Sequence, residues 1–194
     1  PRFVSDLTSD WSSSALHPRP TAALPFTYPP FAALTFIPLQ VIGEHPANFV
    51  MTLLSLVAYA AVVVVLGRQL HLQRWVTVVV VGLGGLALQP LQYNLWLGQI
   101  NLVLMALVLL DAFVMPRRFK GILTGVAAGI KLTPGIFLLY YILRKDWASA
   151  WRTALCFLMT VALGFALAPG DAVRYWTQLF FNTNRFGDVV FGDN

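Results

Sequence analysis

GILTGVAAGIKLTPGIFLLYYIL, residues Gly121 to Leu143, is of membrane length and apolar almost throughout, yet it holds Lys131 near its centre and Pro134 three residues later. An ammonium at the middle of a bilayer costs at least ~2.5–3.5 kcal/mol, so charges there face a polar cavity and a partner. Proline removes an amide donor and breaks the helix, and irregular backbone at that depth survives only where protein or a water-filled cavity surrounds it. The stretch reads as one wall of a polar site inside a membrane protein. The alternative is that Lys131 snorkels to the rim or pairs with a structural acid such as Asp111.

The rest of the chain agrees with a membrane setting. Hydrophobic residues make up 58% and charged residues 11% of the sequence, against about a quarter charged in soluble domains. Cys156 stands alone in an apolar run, which excludes a disulfide framework and suits a small buried hydrophobe. His17, His45 and His71 lie far apart, so neither a metal site nor a metal cofactor is expected. The net charge of +5 is spread over short loops between apolar runs, a topology signal that gives no reason to expect nucleic acid. The chain opens at Pro1 without a methionine or signal peptide and ends in a polar stretch. We expect an internal piece of a longer polypeptide, with both flanks missing.

Residues 1–24 are rich in Ser, Pro and Thr and read as a loop outside the membrane. Phe31 to Ile42 is apolar but short of the ~20 residues a spanning helix needs. Membrane crossings are expected at Ala47–Leu66, Trp75–Leu91, Leu95–Met115 and Thr153–Ala168, with Gln92-Tyr93-Asn94 and Trp96 in a turn. Membrane helices thus fill 25–168, and 169–194 returns as a polar, aromatic external loop. Eight of the thirteen Lys and Arg fall into three clusters, Arg68 with Arg74, Arg117 to Lys120, and Arg144 to Arg152, which the positive-inside rule makes cytoplasmic. A single crossing at Gly121–Leu143 would strand Arg144 and Lys145 on the wrong face. Two half-helices hinged at Lys131–Pro134 remove the conflict, and the same logic makes Pro25–Gly43 a hairpin entering from outside.

Four places offer chemistry. Lys131 with Thr133 gives a fixed cation and a hydroxyl at a helix break, and a half-helix beginning after Pro134 would add amide donors suited to a phosphate. Gln99 and Asn101 open a helix, and carboxamides donate and accept at once, which suits sugar hydroxyls; they can equally be glue between helices. Tyr28, between prolines, can present a ring and hydroxyl or serve as an interfacial anchor. Arg185, among Asn182, Asn184 and Asp188, is a candidate recognition loop or simply a solvated one.

Phe26-Thr27-Tyr28-Pro29-Pro30-Phe31, Gly98-Gln99-Ile100-Asn101-Leu102, Gly125 through Ile130-Lys131-Leu132-Thr133-Pro134, and Tyr175-Trp176 with Asn182-Thr183-Asn184-Arg185 and Gly192-Asp193-Asn194 together resemble glycosyltransferase family 87. The resemblance implies an all-α, polytopic transmembrane bundle of the GT-C type with re-entrant or half-helices and external loops. It also implies a multi-pass plasma-membrane protein whose site faces the extracytoplasmic side. The activity implied is transfer of mannose from a polyprenyl-phosphate donor to a cell-envelope glycolipid or lipoglycan, with inversion to an α linkage. The partners are then that donor, that acceptor and the bilayer. Lys131 and Thr133 would hold the donor phosphate, and Tyr28, Gln99, Asn101 and Arg185 sugar or acceptor hydroxyls. The family's catalytic carboxylate lies early in the first external loop, so the base is expected upstream of Pro1. Asp6 and Asp10 occupy that loop outside such a motif and remain candidates, and the fragment by itself is expected to be inactive. Competing readings are an arabinofuranosyl donor, a transporter or flippase, which also builds sites from broken helices, and a noncatalytic envelope-biosynthesis subunit.

Overall fold

The computed structural model describes residues 28–179, and among these every regular element is helical. The expectations for residues 1–24, Asp6, Asp10 and Arg185 fall outside this range. The elements are α1 (Pro30–Val41), α2 (Glu44–Gln69), α3 (Arg74–Leu86), α4 (Gln89–Trp96), α5 (Asn101–Phe113), α6 (Ile122–Ile130), a 3₁₀ turn (Thr133–Ile136), α7 (Phe137–Leu143), α8 (Trp147–Leu167) and α9 (Pro169–Arg174). By length and composition, α2 and α8 can each cross a membrane, and α3 with α4 would supply a third crossing if that bent pair is one span.

Several boundaries differ from the sequence reading. Pro25–Gly43 is not a hairpin over its described part: Pro30 to Val41 is one helix, with Pro30 suited to its first turn and the chain turning only at Gly43, where φ is +84°. Trp75–Leu91 is not a straight crossing, because the chain bends by 65° between α3 and α4, ahead of Pro90. Within α3, Thr77–Leu83 forms wide π-type turns, and the Tyr59 hydroxyl meets the carbonyls of Val81 (2.6 Å) and Gly82 (2.7 Å). A side chain reaching into the backbone ladder in this way accounts for the irregularity. Gln92 to Trp96 lies in helix rather than in a turn, so Leu95–Met115 splits at Gly98 (φ +59°) and leaves α5 only 13 residues long. Pro169 to Leu179 continues as helix where a loop was expected, and Trp176 packs edge-on against Phe157 of α8 at 6.3 Å.

The organising feature is the hairpin of α6 and α7. Asp111, near the end of α5, accepts from the Gly121 amide at 2.9 Å, the Thr124 hydroxyl at 2.6 Å and the Tyr141 hydroxyl at 2.8 Å. The first turn of α6 and the last of α7 therefore meet at one carboxylate, and the chain between them goes out and comes back. Lys131 sits at the apex, where its amine reaches Asn101 at the opposite end of α5. Ten residues of helix separate Asn101 from Asp111, or ~15 Å. That distance rules out the Lys131–Asp111 pairing considered from the sequence.

Small residues let the hairpin close against α8. Gly121, with φ +101°, takes a left-handed turn that a side chain would strain, and its carbonyl accepts from Thr153 Oγ1 at 3.0 Å. One turn on, a Cβ on Gly125 would lie 2.6 Å from both the Thr153 carbonyl oxygen and the Cys156 Cβ. Close backbone approach through such residues is how helices gain packing where both sides are apolar. Gly125→Val is expected to cost ~1–3 kcal/mol by overpacking, seen as a lowered melting temperature of the full-length protein in detergent. An unchanged melting temperature would contradict the tight approach.

The three basic clusters gather at the Asp111 end. Lys120 Nζ donates to the Ala112 carbonyl at 2.7 Å, and the Arg152 guanidinium donates to the Lys120 carbonyl. Asn48, in the first turns of α2, lies beside Gly98 just ahead of α5, where a Cβ would come within 4.0 Å of its Oδ1, and further along α2 Ala58 and Val62 pack with Leu102 and Ala106. The helices α2 and α5 thus run side by side in one direction, which carries Arg68 toward the same end.

Asp146 caps α8 there, accepting from the Ser149 amide at 3.2 Å and the Ser149 hydroxyl at 2.8 Å. Burial pushes its carboxyl pKa up, but the Ser149 bonds and the neighbouring Lys120 and Arg152 charges outweigh this and hold it below the usual value. A depressed folded pKa adds stability above the unfolded pKa and loses it as pH falls through the folded one. Asp146→Ala is expected to cost about 1 kcal/mol at neutral pH. Thermal melts should show the gap to wild type closing below pH ~4.

Candidate active site

At the apex the helix ends because Lys131 turns to extended backbone (φ −144°, ψ 133°), and Pro134 opens the 3₁₀ turn that starts the return. The Lys131 amine donates to Asn101 Oδ1 at 2.8 Å, Asn101 Nδ2 donates to Gln99 Oε1 at 2.7 Å, and the amine lies 5.5 Å from the centroid of the Tyr28 ring. Four of the residues singled out from sequence therefore form one chain: ring, cation, amide, amide. The π face of Tyr28 attracts the cation, and the carboxamide oxygen accepts from it without neutralising it. The amine keeps its capacity to meet an anion.

Local structure explains the convergence. Gly98 adopts positive φ, which ends α4 and starts a tight turn, and the Asn94 amide donates to the Gln99 carbonyl at 3.0 Å. Gln99 therefore stands in the turn before the helix, not on it, while Asn101 is the first residue of α5. Ala32, Met51, Ile100, Ala127 and Ile130 form an apolar cluster against which Tyr28 packs. This floor fixes the turn, the apex and the tyrosine relative to one another.

A cleft of about 490 Å³ opens from the amine. Asn101, Lys131 and Thr133 form its polar end, and Leu104, Met105, Val108, Leu109, Ile136 and Phe137 form an apolar trough running from it. Thr133 is exposed on the cleft. The expected set of free amides beyond Pro134 is smaller than the sequence suggested, because the Gly135 amide donates to the Leu132 carbonyl at 2.9 Å. A trough with one cation and two hydrogen-bonding side chains at its end can receive an amphiphile whose anionic head is joined to a long apolar tail.

Two features were missed from the sequence. Asp111 was weighed only as a partner for Lys131, although an acid ten residues before a glycine that opens a helix, with Thr124 in the first turn, signals a carboxylate filling a helix N-terminus from within. Tyr141, which completes that knot, gave no such signal. The second is the outward stripe of α4, where Gln89, Gln92, Tyr93 and Trp96 follow helical spacing and line another open cavity of about 490 Å³.

Comparison with known proteins gives a consistent family assignment. The family model described as Glycosyltransferase family 87 matches residues 26–193. A polyprenol-phosphate-mannose-dependent alpha-(1-2)-phosphatidylinositol mannoside mannosyltransferase of Mycobacterium tuberculosis is 39% identical over 181 residues, covering 84% of this chain and 42% of that protein. Its namesake in Mycolicibacterium smegmatis is 36% identical over 188 residues, covering 88% of this chain and 42% of that protein. A third relative, a polyprenol-phosphate-mannose-dependent alpha-(1-2)-phosphatidylinositol pentamannoside mannosyltransferase of M. smegmatis, is 36% identical over 172 residues. The chain spans less than half the length of these curated relatives. No solved structure matches it.

Proposed function

Because the chain belongs to glycosyltransferase family 87, we propose that the whole protein transfers mannose from polyprenol-phosphate-mannose to a phosphatidylinositol mannoside acceptor, forming an α linkage with inversion. The observation that carries this reading is the Lys131 amine, held by Asn101 at the polar end of an apolar trough. The polyprenyl chain lies along Leu104, Met105, Val108 and Phe137, and the phosphate meets Lys131 with Thr133 beside it. Tyr28, Asn101 and Gln99 order the sugar and acceptor hydroxyls around the apex, and the family resemblance alone adds Arg185 to the hydroxyl-binding set.

In the reaction the acceptor hydroxyl attacks the anomeric carbon from the face opposite the phosphate. The new C–O bond forms as the bond to phosphate breaks, with that electron pair leaving on polyprenyl phosphate and the hydroxyl proton passing to a carboxylate base. Lys131 stabilises the charge that grows on the leaving phosphate. Asp111 and Asp146 are both occupied at the other end of the hairpin. We assign the base, as the family resemblance implies, to a carboxylate of the first external loop, for which Asp6 and Asp10 are candidates. The protein is a multi-pass membrane bundle of the GT-C type in which the basic end lies in the cytoplasm, so the apex opens toward the extracytoplasmic side.

Membership in a glycosyltransferase family displaces the transporter and noncatalytic readings, and the relatives' names give no support to an arabinofuranosyl donor. The direct test is transfer of radiolabelled mannose from a polyprenyl-phosphate donor to a phosphatidylinositol mannoside in membranes carrying the full-length protein. Absence of labelled glycolipid from well-expressed protein would overturn the assignment.

A further inference from the structure

The helix α4 has two unlike faces. Leu91 and Leu95 pack on the cluster of Ala58, Val62, Leu102 and Ala106. On the other side Gln89, Gln92, Tyr93 and Trp96 stand at positions i, i+3, i+4 and i+7 and line an open cavity of about 490 Å³. Trp96 is 76% exposed, and its ring meets that of Tyr93 edge to face, with centroids 6.3 Å apart and planes at 82°. Gln92 Nε2 donates to the Leu86 carbonyl at 3.2 Å, but its Oε1 and the Gln89 carboxamide would still be costly against hydrocarbon, so this face belongs at the headgroup level or in water.

Resting on the glycosyltransferase reading, we propose that this stripe is a binding platform for the neutral sugar rings of the glycolipid acceptor's headgroup. The chemistry selects that ligand. The four side chains carry no formal charge, which disfavours a phosphate or carboxylate ligand. Carboxamides pair with hydroxyls as donor and acceptor together, and the negative face of an indole or phenol ring attracts the polarised C–H face of a pyranose. Position supports the same ligand: Asn94, on the same helix, donates to the Gln99 carbonyl, and Gln99 accepts from Asn101, which holds Lys131. The platform thus lies on the helix that leads directly into the turn carrying Gln99, beside the apex where an acceptor has to meet the donor.

The test uses the full-length protein in detergent with methyl α-mannoside as probe, followed by saturation-transfer NMR, and transfer assays with a phosphatidylinositol mannoside. A Gln92→Ala, Trp96→Ala double variant is expected to bind the probe about tenfold more weakly, with the acceptor KM raised to match and the donor KM held. Gln89→Ala, which leaves the Leu91 and Leu95 packing untouched, is a second variant, expected to weaken binding about threefold. Variants that bind the probe and use the acceptor like wild type would overturn the platform while leaving the enzymatic reading intact, as would an effect on membrane insertion alone. Wild-type protein that binds the probe but transfers no mannose would sink the enzymatic reading and leave the platform standing.

Discussion

Lys131→Ala in the full-length protein is expected to cut mannose transfer about 10²- to 10³-fold with expression preserved, the scale seen when one preorganised charge-stabilising donor is removed. The amine is only partly buried and, among the described residues, donates one hydrogen bond, to Asn101, with the Tyr28 ring nearby. Its loss leaves an amide acceptor at an open cleft where water can replace it, so little stability is at stake. The effect should fall on turnover, because the phosphate's charge grows as its bond to the sugar breaks. Lys131→Arg should rescue only in part, since a planar fork replaces a compact point charge that fits between one ring and one carboxamide. Wild-type rates from Lys131→Ala would remove the lysine from the mechanism.

Asp111→Ala should do the reverse and destroy the fold before any chemistry can be measured. Its carboxylate is fully buried and accepts from the amides of Gly121, Leu123 and Thr124 and the hydroxyls of Thr124 and Tyr141. Each buried donor left without a partner costs ~1–3 kcal/mol, and a domain holds only ~5–15 kcal/mol in all. The expected result is loss of extractable protein. Asp111→Asn should fall between, because it keeps the shape but turns an NH₂ toward groups that themselves donate. An Asp111→Ala protein that melts like wild type would refute the reading of this knot as the clasp of the hairpin. Together the two substitutions separate function from folding across ~15 Å of one helix.

The sequence made the hairpin legible because two constraints met in one stretch: a lysine and a proline at mid-depth, and basic residues at both ends. The same physics brought out Lys131, Asn101, Gln99 and Tyr28 singly, since polar groups in apolar runs need partners. It did not reveal that they were partners of one another, because the contact spans thirty residues and depends on how α5 and α6 align. Helix boundaries were harder to read. Hydropathy sees Trp75–Leu91 as continuous, whereas the π-type turns answer to Tyr59, and the split at Gly98 depends on a left-handed φ. The α4 stripe was overlooked because two glutamines beside aromatics also look like a turn. Its helical spacing was the available signal.

Nine residues of α6 measure ~13 Å, under half of a ~30 Å hydrocarbon layer. If a lipid phosphate meets the amine at the tip, it must leave its resting plane among the headgroups, and the leaflet must pucker around the cleft to let it down. The short helix then works as a depth gauge. The thickness of the surrounding bilayer would tune catalysis by setting how far the donor has to sink.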